Sequence, residues 1–247
     1  MSRSVFLIFG NDARKFLQGL VTNDVEKIDE GLVYAAFLTP QGKFLADFML
    51  APHESGVLLD VDSAHAAPLI QRLSMYKLRS DVQIEETDLK VRRGTGPAPE
   101  GAFQDPRNAA LGWRMYGAEG GDDGTDFAAI RVAHCIPEAG IELTPDSYVL
   151  EAGFERLNGV DFKKGCYIGQ EVTARMKHKT TLRKGLVTVS LEGEASPGTE
   201  IVSDGKPAGT LFTQSGNKAI AYLRFDRASA MMQAGEATVF QLSKAAS

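Results

Sequence analysis

Lys163-Lys164-Gly165-Cys166-Tyr167-Ile168-Gly169-Gln170-Glu171-Val172-Thr173-Ala174-Arg175 is the stretch on which the reading of this chain turns. Two glycines bracket a cysteine and an aromatic residue just before a helix start. Glycine at 165 and 169 permits a tight turn and close approach of a ligand to the backbone. Cys166 is expected beside a helix N-terminus with two lysines upstream, and both effects favour thiolate over thiol. The same lysines and the free helix amides suit a carboxylate. Tyr167 suits stacking on a flat heterocycle, and Glu171 suits an amidine-like ring edge. The residues alone leave a plainer reading open: a small buried cysteine in a glycine-rich turn, flanked by solvated lysines.

Outward from this stretch, composition sets bounds. The chain has 247 residues, 43% hydrophobic and 24% charged, with 25 Gly and 10 Pro. That is globular composition and excludes a disordered or collagen-like chain. The net charge of -5 argues against a generic nucleic-acid binder. Cys135 and Cys166 are the only cysteines. Two are too few for a disulfide framework or for an all-cysteine zinc or iron–sulfur site within one chain. No apolar run approaches the ~20 residues of a membrane span. No signal peptide is read at the N-terminus, so a reducing cytoplasm is expected. His53, His65, His134 and His178 lack metal-ligand spacing.

Strands are predicted at Val5–Phe9, Gly31–Leu38, Phe44–Leu50, Val57–Val61 and Asp81–Glu86. A helix follows Asn11 or Asp12, with Ala13, Phe16, Leu17 and Leu20 on one face. A second helix reaches Tyr76, with Pro68 expected in its first turn because an interior proline breaks a helix. Thr39-Pro40-Gln41-Gly42 reads as a turn. Gly94 to Pro97 reads as a surface connection and not a phosphate loop. Helices are also predicted over Thr125–Cys135, from Thr144-Pro145-Asp146, and over Gly169–His178. After Arg183 come short strand candidates at Gly185–Leu191, Thr199–Val202, Pro207–Thr213, Lys218–Leu223 and Ala237–Leu242, which suggest a small barrel or sandwich. The expected fold class is α+β: two N-terminal α+β subdomains and then a small C-terminal β-barrel. Residues 1–180 are expected to hold the two interleaved subdomains and 181–247 the barrel.

Lys164-Gly165-Cys166-Tyr167-Ile168-Gly169-Gln170-Glu171 resembles the hallmark motif of the YgfZ-type folate-binding proteins, relatives of the glycine-cleavage aminomethyltransferase. Asp12 to Val25, Thr39 to Lys43, Tyr76 to Arg79, Pro137 to Glu142 and Leu150 to Gly153 resemble further segments of that family, so the likeness covers most of the chain. The resemblance implies an aminomethyltransferase-like folate-binding fold of three subdomains around a central tetrahydrofolate pocket. It implies a tetrahydrofolate-binding accessory protein for assembly or repair of iron–sulfur proteins, including tRNA-modifying radical enzymes. Its partners would be iron–sulfur client proteins or assembly factors, without direct nucleic-acid or membrane contact. Cys166 would be the working thiol. The expected folate contacts are Lys164, Tyr167, Gln170, Glu171, Arg175, Glu138, Asp47 and Arg79. Of these, Glu138 aligns with the pterin-binding glutamate, and Arg79 suits the folate glutamate tail.

Departures from the aminomethyltransferase bear on its chemistry. Where that enzyme tends to have paired aspartates, this chain has Ala46-Asp47, and Pro145 stands where the enzyme has an arginine. Asp47 would replace the first aspartate only if the strand register shifted, turning the side chain to the other face. A folate-dependent aminomethyltransferase or demethylase is therefore the alternative function. A thiol-based cluster carrier, needing a partner's ligands, is a third. Plainer readings stand beside several sites: Asp24 as an Asx turn, Arg79 as a solvated charge, and Glu171 with Arg175 as an i, i+4 ion pair. Cys135 and Trp113 read as packing residues.

Overall fold

The computed structural model describes residues 2–179 and 181–242. The chain condenses into two units. One comprises the chain up to Thr125 together with Phe154–Ala174; the other comprises Asp126–Gly153 and the chain from Arg175 onward.

The first unit is built on an antiparallel sheet of β1 (Arg3–Phe9), β2 (Val33–Leu38), β3 (Phe44–His53), β4 (Gly56–Asp62) and β5 (Gln83–Glu86), in the order β2-β3-β4-β1-β5. Strand alternation sorts its side chains. Phe6 and Ile8 of β1 and Val57, Leu59 and Val61 of β4 enter one core. That core also takes Phe16 and Leu17 of α1 (Ala13–Gln18) and Leu69 and Leu73 of α2 (Ser63–Lys77). Val5, Ala51 and Leu58 face the opposite way, where Val91, Phe103 and Tyr116 pack on them. These belong to a second sheet, β6 (Lys90–Gly94), β7 (Phe103–Gln104), β8 (Trp113–Gly117) and β9 (Gly121–Asp122), ordered β7-β8-β6-β9. Coverage on both faces explains why β2 to β4 read as nearly continuous apolar runs.

Asp60 is the exception in β4. Alternation sends it between the two sheets, where it is fully buried. Arg3 Nε donates to its Oδ1 at 2.6 Å, and Arg114 Nη1 to its Oδ2 at 2.7 Å. Tyr116 donates to the same Oδ2 at 3.1 Å. Arg114 also lies 3.7 Å from Asp105, which takes two side-chain hydrogen bonds from Arg107. Burial alone would raise both carboxyls. The flanking guanidiniums outweigh it and hold Asp60 and Asp105 below the ordinary carboxylate value.

The second unit carries a closed barrel of β10 (Lys184–Glu192), β11 (Glu200–Ser203), β12 (Lys206–Ser215), β13 (Lys218–Arg224), β14 (Met231–Ala234) and β15 (Ala237–Gln241). Their circular order is β10-β13-β12-β11-β14-β15, and closure leaves no open edge. Val189, Leu191, Ile201, Leu211, Leu223 and Val239 fill its interior. Helix α3 (Phe127–His134) packs against it through Val132, beside Cys135 and Ile220. The α+β class with a closed C-terminal barrel is therefore as expected.

Several local expectations are corrected. Pro68 lies inside α2 and not in its first turn, because Asp62 caps the helix upstream by accepting from the Ala64 amide. No helix starts at Thr144-Pro145-Asp146. Its hydroxyl accepts from the Asp146 amide, and a chain of turns follows to Asn158. Strands β6, β7, β9 and β14 escaped prediction, since they are only two to five residues long. Cys135 and Trp113 are buried, as read.

The buried charges predict an acid limit. With folded pKa values below the unfolded value of 3.8, Asp60 and Asp105 contribute stability that is complete above pH 4. It is lost as pH falls through their folded values. Asp60→Asn leaves Arg3 and Arg114 without their charge partner and is expected to cost roughly 3–5 kcal/mol. Thermal melts from pH 7 down to pH 2 check both: the variant melts lower at neutral pH and loses less on acidification.

Candidate functional site

The motif loop is anchored on both sides of its cysteine. Upstream, Lys164 is buried, and its ammonium donates to three backbone carbonyls: Gln18 at 2.8 Å, Val21 at 2.6 Å and Asn23 at 2.9 Å. These lie at and just beyond the C-terminus of α1, where helix carbonyls lack intrahelical partners. Burial lowers this ammonium to about 8, with Asp24 and Asp161 opposing the shift. Downstream, Tyr167 is buried with the Lys164 ammonium 5.2 Å from its ring centroid. Between them Cys166 is a free, exposed thiol.

The structure departs from the plainer sequence reading at two residues. The cysteine is not buried, and Lys164 is not solvated. Nor does Lys164 serve the thiol, since its protons are committed to carbonyls. Helix α4 (Gln170–Lys179) begins four residues after Cys166, one residue past the expected start. The ring of Tyr167 lies in the packing and is not an exposed platform.

Gly169 explains how the loop seats. Its φ is +82°, and an added Cβ would lie 2.6 Å from the Thr39 carbonyl oxygen and 3.0 Å from Gly42 Cα. The loop therefore rests directly on the β2–β3 turn. Gly42, at φ +74°, makes room in return for Val172 of α4.

The same hairpin carries Asp47. Ala46 faces the apolar core with Phe37 and Phe48. Asp47 takes the other face, half-buried, and accepts a hydrogen bond from Tyr34 at 2.9 Å through Oδ2. Burial pushes the Tyr34 phenol well up, so it stays a donor. Arg107 lies 5.4 Å from the Tyr34 ring centroid. Tyr34 and Arg107 were missed from sequence: Tyr34 sits inside an apolar strand, and Arg107 in a loop without periodicity. Thr22 bonds the Gly159 carbonyl, and Asn23 those of Tyr34 and Asn158.

The remaining expected contacts are scattered. Gln170 is half-buried, with its amide 3.5 Å from the Gly165 carbonyl. Glu171 and Arg175 are exposed on α4, and no ion pair joins them among the described residues. Arg79 is exposed beside Leu78, lining a broad hollow with Lys15 and Phe16. Asp24 makes the Asx turn, accepting from the Glu26 amide. In the second unit Glu138 pairs with Arg131, which Glu142 also holds at 2.5 Å.

A reduced folate needs a carboxylate for the donor edge of its pterin and cations for its tail. Asp47 fits the first need, because Oδ1 accepts no hydrogen bond from a described residue. Arg79 fits the second, being an exposed guanidinium of the same unit. Lys164 does not, since its three donors are taken. Glu138 is already paired.

Residues 183–243 match the family model described as CAF17, C-terminal beta-barrel domain. The chain is 33% identical to "Iron-sulfur cluster assembly factor IBA57, mitochondrial" of Mus musculus, over 90% of this chain and 75% of that protein. It is 32% identical to the homologue of Mycosarcoma maydis, covering 83% of this chain but only 60% of that protein. The aminomethyltransferase T of the Bartonella henselae glycine cleavage system shares the fold, with TM-score 0.76 and 12% identity over 96% of this chain and 81% of that one. The two assembly-factor relatives are named mitochondrial, which overturns the expectation of a cytoplasmic setting.

The anchoring predicts two costs. Lys164→Met orphans three carbonyls and is expected to destabilise by roughly 2–4 kcal/mol. Gly169→Ala combines positive φ with a backbone clash and is expected to cost about 2 kcal/mol or more. Chemical denaturation measures both, and values under half of these would show the loop to be loosely held.

Proposed function

Because this chain belongs to the family of the IBA57 iron–sulfur cluster assembly factors, we propose that it acts in assembly or repair of iron–sulfur proteins, with Cys166 as its working thiol. The observation that carries this reading is an exposed thiol between two buried, anchored neighbours, Lys164 and Tyr167. Such a loop holds a nucleophile or iron ligand in place without ordering it anew at each encounter. The chain's other cysteine, Cys135, is buried. One accessible thiol does not complete a cysteine-ligated cluster, so further ligands come from a partner. The partners are iron–sulfur clients or assembly factors, with tRNA-modifying radical enzymes among the clients.

The cofactor of this reading is tetrahydrofolate or a one-carbon derivative, which supplies a one-carbon carrier when bound. Asp47 would hold the pterin edge, with Tyr34 fixing its orientation. Arg79 would serve the carboxylate tail. One observation favours the alternative of a folate-dependent aminomethyltransferase or demethylase. The β2–β3 pairing shifts register beside the Phe37–Ala46 pair, and Asp47, on the face opposite Ala46, offers a carboxylate that accepts from Tyr34.

Cys166→Ser is expected to change stability by less than about 0.5 kcal/mol, as an exposed substitution, while abolishing complementation of a deletion strain. Full complementation would remove the thiol from the mechanism. Asp47→Asn is expected to weaken tetrahydrofolate binding about tenfold by titration calorimetry, through loss of a charged hydrogen bond. Formation of methylene-tetrahydrofolate from aminomethyl or N-methyl donors would favour the alternative; no turnover across a donor panel removes it.

A further inference from the structure

The second unit holds a cavity of about 190 Å³ that the iron–sulfur reading does not use. Tyr148, Phe212, Tyr222 and Leu186 give it aromatic and aliphatic walls, and Glu151 lines it with a carboxylate. The Glu151 side chain is only 9% exposed. Tyr222 donates to its Oε2 at 2.6 Å. Its Oε1 accepts no hydrogen bond from a described residue. A nearly buried carboxylate with an open oxygen calls for a cation. The other buried carboxylate of the lining, Glu142, has no such need: Arg131, the Glu138 amide, and the amide and hydroxyl of Thr213 all donate to it.

The protein already places a cation of its own at the mouth. The Lys184 ammonium lies 5.5 Å from the Tyr222 ring centroid, a cation–π distance. It is 4.0 Å from Glu151 Oε2, too far for a hydrogen bond, and its side chain is 46% exposed. Lys184 therefore marks where positive charge is favoured without filling the site.

We propose that this cavity is a binding site for an alkylguanidinium, the side chain of arginine. The planar, weakly hydrated guanidinium stacks on tyrosine faces while donating sideways to a carboxylate, which a compact ammonium cannot do. The cavity has room for one side chain. The inference rests on the second unit alone and stands or falls apart from the iron–sulfur reading.

The test titrates the full chain with N-acetyl-arginine methylamide, free L-arginine and N-acetyl-lysine methylamide, followed by calorimetry and by NMR of the tyrosine rings. Saturable binding of an arginine probe is expected. Preference for the capped form assigns the arginine to a polypeptide; equal or tighter binding of L-arginine assigns it to the free amino acid. Glu151→Gln keeps the shape and is expected to weaken binding about tenfold or more. Lys184→Met is expected to strengthen it by removing the competing cation. Matched thermal melts show that both variants fold. Absence of saturable binding by both arginine probes overturns the proposal. So does unchanged affinity in Glu151→Gln, tighter binding of the lysine probe, or weaker binding in Lys184→Met.

Discussion

Three backbone carbonyls converge on one ammonium, and the position of the motif loop follows from that. Helix α1 is six residues long, too short to persist without tertiary support. Carbonyls at and beyond its end need donors, and Lys164 brings them from more than 140 residues away in sequence. The exchange works both ways. The helix end gains its partners, and the loop loses the freedom that would let Cys166 fold inward. A lysine that reads as a solvated neighbour of a thiol is in fact the bolt that presents it.

The hairpin β2–β3 joins the two halves of the candidate site. Its turn receives Gly169, and its strand carries Asp47 toward Tyr34 and Arg107. A short glycine-to-glycine approach thus fixes where thiol and carboxylate stand within the first unit. The charges between the sheets serve the same end by different means. Asp60 and Asp105 each sit between guanidiniums, and the strands and loop that supply them cannot shift without stranding a buried charge.

How much was legible differs by residue. The strands of the first sheet and most of the barrel announced themselves through apolar runs and turn residues. The motif announced its own importance through residue types that rarely occur together. Pro68 and Thr144 misled, because a proline or a hydroxyl signals a local preference that neighbours can override. Tyr34 and Arg107 gave no signal, because their roles depend on partners distant in the chain.

By itself, the sequence determined the α+β class, the barrel, the scarcity of cysteine and the single motif in which a thiol has special surroundings. Only the tertiary structure decided that Cys166 is exposed while Lys164 and Tyr167 are not. It also decided that Asp47 faces polar neighbours and Ala46 the core, and that Glu151 keeps an oxygen open to a cavity. The physical reason is range. Periodicity and turn chemistry act over a few residues and are written locally. Burial, hydrogen-bond satisfaction and charge pairing depend on which distant groups arrive, and no local pattern records that.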